Sequence, residues 1–338
     1  MDKRQFRNNA LQVVFSLLLG GAILYWMYRG FDLSQVSEAL RHDMDWTWML
    51  LSLPFGVTAQ LFRGLRWCQS LEPIGEHPRR HTAVNAIFLS YATSLVIPRV
   101  GEFLRCGVLK RYDGVSFPKA LGTVVTERAV DAVVVASITL TTILLQLSVF
   151  TDFFTKTGTR IDTLLTQFTS TGYLVTAICL AAALGIVVFL LRKMSFYNKV
   201  KDTLQGLWAG VMSVRKVKRK WLYIVYTLLI WGSYFVHFYL TFFCFKETAG
   251  LGIDCALVAF VVGSIAVIVP TPNGAGPWHF SVKTMLILYG VSSDQALSFV
   301  LIVHTLQTLL VVLLGFYAWG ALSLTRRQAT PVQTENIP

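Results

Sequence analysis

The sequence predicts an all-α polytopic membrane protein. It should have about six full spans plus two opposed re-entrant helical hairpins, arranged as an inverted repeat. Three observations carry that prediction: apolar runs of spanning length recur along the chain, two of them are broken in corresponding places by proline, glycine and charge, and basic residues collect on alternate loops. Hydrophobic residues make up 54% of the chain and charged residues only 14%, with a mean hydropathy of +0.56. Such a balance belongs to a membrane protein and not to a soluble domain with a large core.

The first run, Leu11 to Tyr28, is long for a signal-peptide core and ends in YWMYRG without a small-residue cleavage site, so it reads as a retained span. Trp46–Phe62 follows as the second span, then Ala120–Ser148, Gly172–Leu191, Trp221–Phe245 and Ala296–Leu322. Between them lie two interrupted stretches, Thr82–Arg111 and Asp254–Tyr289. In the first, an apolar run stops at Pro98 and Gly101, with Arg99, Glu102 and Arg105 close behind. Pro270, Pro272, Asn273, Gly274 and Gly276 break the second. A bilayer tolerates broken backbone where it is buried in protein or lines a watery cavity. Paired breaks in two halves of a chain point to the binding site of a transporter.

A short string repeats. Gly114-Val115-Ser116 with Ala120-Leu121 recurs as Gly290-Val291-Ser292 with Ala296-Leu297, at a constant offset of 176 (290 − 114). Three spans separate the two hairpins, an odd number, so the second copy should enter from the opposite face. The repeats are expected at about 82–148 and 254–322, within one transmembrane domain over 1–325 followed by a disordered tail, 326–338. Lys and Arg gather at the N-terminus, at Arg63–Arg80, at Arg99–Lys119 and between Arg192 and Lys220. That bias puts both termini in the cytoplasm, with the protein in the inner membrane. The formal charge of +12 follows from the same asymmetry and from contact with anionic inner-leaflet lipid. No nucleic-acid partner is needed to explain it.

Charge then concentrates near the first hairpin. In ALGTVVTERAVDAVVV, Glu127 and Asp131 are four residues apart and Arg128 and Asp131 three apart, so they share a helix face. Two carboxylates on one face in low dielectric need cations nearby, and Arg99 and Arg105, flanking Glu102, are the expected partners. Arg99, Arg105 and Arg128 against Glu102, Glu127 and Asp131 sum to zero. Two readings stay open. The group is either a self-neutralising network that pins the hairpin to the next helix, or a site whose guanidinium forks meet a phosphate.

IPRVGEFLR, then TERAVD about two dozen residues on, and a late PTPNGAGPW resemble the flippase-like, lysylphosphatidylglycerol-synthase transmembrane-region family. The resemblance runs from about Leu11 to Leu324. Pro98, Arg99, Gly101 and Glu102 match its first element, and Glu127, Arg128 and Asp131 its second. Pro270, Pro272, Asn273, Gly274 and Gly276 match the third, which usually ends in a glutamate where this chain has Trp278-His279. The resemblance implies a role in lipid translocation, in aminoacyl-phosphatidylglycerol, isoprenoid-linked glycan or hopanoid pathways. The synthase domain is expected to be absent.

Smaller expectations complete the reading. Arg63 and Arg66, with Trp67, read as interface anchors or as attractors of lipid head groups. In the repeat alignment His304 matches Arg128 and Gln307 matches Asp131, so both join the candidate substrate-binding residues, with His279 behind them. His237 reads as ordinary helix polarity. The five cysteines show no metal-ligand or disulfide spacing, and no HExxH, GxSxG or P-loop sequence is present. No catalytic residue, metal or cofactor is therefore assigned. The expected function is translocation of an anionic, phosphate-bearing lipid, a phospholipid or a polyprenyl-phosphate-linked lipid. Two alternatives stand beside it: a membrane-embedded transferase or phosphatase acting on a polyprenyl-phosphate, and a non-catalytic accessory subunit of a lipid-modifying complex.

Overall fold

In the computed structural model, residues 18, 21–29, 34–146, 205, 206, 208–269 and 271–326 are described. The expected span Gly172–Leu191, the first part of the basic loop after it, half of the expected first span, the tail beyond 326 and Pro270 lie outside the described residues. Helices and turns make up what is described, and no strand occurs among these residues. Numbered in chain order, the long helices are α1 (Trp46–Leu71), α2 (Arg80–Ser94), α3 (Val100–Asp113), α4 (Phe117–Leu145), α5 (Lys220–Leu240), α6 (Gly252–Ala266), α7 (Pro277–Leu288) and α8 (Ser293–Leu324). α4, α8 and the stretch Lys220–Cys244, which is α5 with its last turn, are long and apolar enough to cross a membrane. α1 is 26 residues long but carries Gln60, Arg63 and Arg66 in its second half.

Local signals set the helix ends. Asp45 caps α1, its side chain accepting from Thr47 N at 2.8 Å. Gly114 and Gly290, 176 residues apart, end α3 and α7 with left-handed φ values of 68° and 94°. A Cβ would resist that conformation, which explains why glycine recurs in both strings. Ser116 and Ser292 then open α4 and α8 at equivalent positions. Each interrupted stretch is a helical pair: α2 and α3 joined through residues 95–99, α6 and α7 through residues 267–276. Arg99 and Asn273 turn these connections with φ of 65° and 52°. Gly101 admits the close approach of α3 to α2, since a Cβ there would collide with the Ser90 carbonyl oxygen.

The helix bounds of α1–α4 recur in α5–α8 to within four residues at the same offset, except that α5 ends at Leu240, seven residues short of the end of α1. Packing follows the exchange. α1 lies on α2 as α5 lies on α6; α3 lies on α4 as α7 lies on α8; α2 packs against α8, and α6 against α4. α1 and α5 pair antiparallel. Trp48 meets Phe243 at 4.9 Å, the Ser52 carbonyl meets His237 Nδ1 at 2.8 Å, Thr58 meets Ser233 at 3.5 Å and Phe62 stacks on Tyr226 at 5.8 Å. Gly56 makes this approach possible, because a Cβ there would stand 2.9 Å from Leu310 and 3.0 Å from His237. Each set of four helices keeps its own apolar core. Trp67, Ile87, Leu109 and Val124 centre the first; Phe242, Val258, Leu286 and Phe299 centre the second.

Candidate functional site

The second half of α1 presents Arg63, Arg66 and Trp67 at spacings of three and four, one face of a helix. α4 presents Glu127, Arg128 and Asp131 in the same way, and α3 supplies Glu102 and Arg105. These three faces close on one another. Arg63 Nη1 donates to Glu127 Oε1 at 2.7 Å and also to Asp131 Oδ2. Arg66 Nη2 donates to Asp131 Oδ1 at 2.8 Å, and Arg66 Nη1 to Thr227 Oγ1 at 3.1 Å. Arg105 Nη1 reaches Glu127 Oε2 at 3.1 Å. Arg128 completes the group, its Nε 2.9 Å from Glu102 Oε1, with Glu127 at 3.7 Å and Asp131 at 3.9 Å.

Arg63, Arg66, Arg105, Glu127 and Asp131 are buried, none exposing more than 5% of its surface. Arg128 and Glu102 form the open edge, with 44% and 29% of their side chains exposed. The expected interface role of Arg63 and Arg66 is thus corrected. Both point inward and form the inner wall of the cluster. Their inclusion also changes the charge. Four guanidiniums now face three carboxylates, a formal sum of +1, where the sequence inventory summed to zero. The Nε atoms of Arg63, Arg66 and Arg105, and Nη2 of Arg105, are buried without a hydrogen-bond partner. Aromatic faces compensate in part: Trp67 lies 4.7 Å from Arg105, Tyr223 5.6 Å from Arg66 and Tyr234 6.0 Å from Arg63. Trp67 is itself fixed by its Nε1 donating to Thr123 Oγ1 at 2.8 Å.

Arg99 stands apart from this group. Its left-handed backbone turns the side chain outward, and Nη2 donates to the Ile268 carbonyl at 3.3 Å, joining the tips of the two helical pairs. Around the second pair, His304 Nε2 lies 3.1 Å from the Asn273 carbonyl oxygen, and Asn273 Nδ2 donates to Thr308 Oγ1 at 2.7 Å. His279 and His304 lie in tilted contact with ring centres 4.4 Å apart, and Trp278 lies 5.1 Å from His304. Gly276 N donates to His279 Nδ1 at 3.3 Å, and Gln307 Nε2 is buried without a partner. At the offset of 176, Glu102 corresponds to Trp278 and Arg128 to His304. An ion pair in one copy is a ring contact in the other.

Remaining polar groups fall outside both clusters. His237 is buried against the Ser52 carbonyl, and Cys68, Cys106, Cys244 and Cys255 are free thiols. Among the described residues no three His, Cys, Asp or Glu side chains converge on a point that could hold a metal.

Long apolar helices around a buried, multiply charged centre define an α-helical membrane protein. The chain belongs to the lysylphosphatidylglycerol synthase TM region family, whose model matches residues 13–315. Membership places the protein among membrane proteins related to lipid handling. No curated protein and no solved structure matches the chain.

Proposed function

We propose that the protein is a lipid translocase that moves an anionic, phosphate-bearing lipid across the inner membrane. The observation that carries this reading is the excess of guanidinium over carboxylate in a buried cluster whose open edge is Arg128 and Glu102. Buried ionisable groups in membrane segments are costly and serve pathways or substrates. Guanidinium forks match phosphate oxygens in a bidentate geometry. A phosphate arriving at Arg128 displaces Glu102, and the head group crosses between the two helical pairs while its tails stay in lipid.

The architecture proposed with it is one domain over 1–325, with about six spans and two re-entrant hairpins in an inverted repeat. Recurrence of helix bounds at 176 and the antiparallel pairing of α1 with α5 support the inversion. The axis relating the halves passes near Thr58 and Ser233, where the pairing crosses itself, and lies in the membrane plane. Basic loops favour cytoplasmic termini. In this reading His304 and Gln307, with Asn273, form the second half of the substrate path.

Reconstitution tests the proposal. Proteoliposomes carrying fluorescent phosphatidylglycerol should show protein-dependent movement between leaflets, reduced about tenfold or more in Arg128→Ala. Equal movement of anionic and uncharged lipids, or full activity of Arg128→Ala, would reject an anion-selective path. Release of a chemically altered lipid would instead identify an enzyme.

A further inference from the structure

A feature of opposite sign lies at the far end of the α1–α5 pair. From Arg63 back to Asp45 is 18 residues, or roughly 27 Å at 1.5 Å per residue. There a cavity of about 300 Å³ is lined by Glu38, Asp43, Glu247, Ser298, Phe245 and Phe299. These residues come from three separate places: the segment before α1, the turn after α5, and the first turns of α8. Residues 39–43 form a π-helix, closed by Met44 N donating to the Ala39 carbonyl at 2.9 Å. Such wide turns are rare and occur frequently at functional sites.

Three carboxylates therefore border one cavity, and none of them has an ion-pair partner among the described residues, where the pairs use other acids. A second observation is independent of the acids. Ser298 is 8% exposed and lines the cavity, and its hydroxyl makes no hydrogen bond among the described residues. Its neighbour Thr248 is occupied, donating to the Phe242 carbonyl at 2.6 Å. Phe245 and Phe299, in edge contact at 5.6 Å, supply an apolar wall.

This combination selects its ligand. The acids stand around a space too wide for them to close together on a bare ion, as no described cluster has metal-ligand convergence. A primary ammonium brings one charge, three donors and an apolar substituent. The carboxylates and Ser298 match the donors and the charge, and the phenyl rings match the substituent. We propose that this cavity binds an organic primary ammonium group. The group is carried either by a free amine or by a lipid head group. The proposal is independent of the translocase reading, because its test reads binding and not transport.

The experiment titrates ethanolamine into purified protein in nanodiscs, in potassium buffer, with magnesium chloride as competitor. Wild type should bind saturably. The variant Glu38→Gln/Asp43→Asn/Glu247→Gln should bind about fivefold more weakly or worse, and Ser298→Ala should weaken it separately. Glu72→Gln, at the opposite end of α1, should change nothing. Comparing discs of phosphatidylethanolamine and phosphatidylglycerol separates the sources. Ethanolamine binding suppressed in phosphatidylethanolamine discs, and restored there in Ser298→Ala relative to its own glycerol discs, identifies the lipid head group; equal binding in both discs identifies a free amine. Unchanged affinity in both the triple variant and Ser298→Ala, displacement by magnesium at equal concentration, or no saturable binding in either disc overturns the proposal. Should the triple variant fail to purify, Ser298→Ala carries the same test.

Discussion

Glu102 holds Arg128 at 2.9 Å on the side of the charged cluster where both side chains are partly exposed. In the proposed translocase a ligand anion would compete with Glu102 for that guanidinium, so weakening the pair should favour the ligand. Glu102→Gln should raise apparent affinity for anionic lipid several-fold while slowing its release. Equilibrium binding of phosphatidylglycerol to wild type and variant checks the first effect, and leaflet exchange rates check the second.

Stability should respond elsewhere. Arg63 and Arg66 are buried against Glu127 and Asp131, so replacing either by Ala breaks buried ion pairs and leaves the carboxylates to the remaining arginines, at a cost of up to ~3–5 kcal/mol. Arg128 is 44% exposed at its side chain, and its removal should cost about 1 kcal/mol or less. Denaturant unfolding in detergent should rank them in that order. A larger loss for Arg128→Ala than for Arg66→Ala would contradict the burial pattern.

Gly101 and Gly107 make a matched pair on α3. A Cβ at Gly101 meets the Ser90 carbonyl and Ser94 Oγ, whereas one at Gly107 meets nothing within 4 Å. Gly101→Ala should destabilise by ~1–3 kcal/mol through overpacking. Gly107→Ala should be neutral or stabilise by up to ~1 kcal/mol, as expected for a helix interior. Thermal unfolding of the two variants side by side decides the matter.

Thr58 and Ser233 offer a direct test of the pairing between halves. Their hydroxyl oxygens are 3.5 Å apart, so sulfur atoms placed there are near bonding reach. In a background with the native cysteines removed, Thr58→Cys/Ser233→Cys should oxidise to an internal disulfide. Proteolysis in the segment between α4 and α5 should then leave the two halves joined until reductant is added.

The sequence made some of this legible and hid the rest for identifiable reasons. Paired glycines, serines and proline breaks mark helix ends, which are local events, and so α2–α4 and α6–α8 fall close to their expected positions. Glu127, Arg128 and Asp131 announce themselves by lying within an apolar run. Arg63 and Arg66 do not. Near the end of a span, arginines with a tryptophan fit an interface as well as an interior, and only packing against α4 distinguishes the two. A signal was present all the same: Gln60, Arg63 and Trp67 share a face, which an interface anchor does not require. Arg99 misled in the opposite direction. One left-handed residue redirects its side chain to the other helical pair, and spacing cannot reveal that.

Consider last the substitution of Trp278 and His304 for Glu102 and Arg128. If two access conformations were related by exchange of identical halves, they would be isoenergetic, and a bound anion would have no preference between them. Unlike residues at the exchanged positions remove that degeneracy. In the proposed translocase an anion would then have a different dissociation constant on each face of the bilayer, and at equal lipid concentrations the two leaflets would load it unequally. Acting passively, such a translocase would still obey the lipid gradient, yet its saturation would differ by side, so net flux in the two directions would follow different concentration curves.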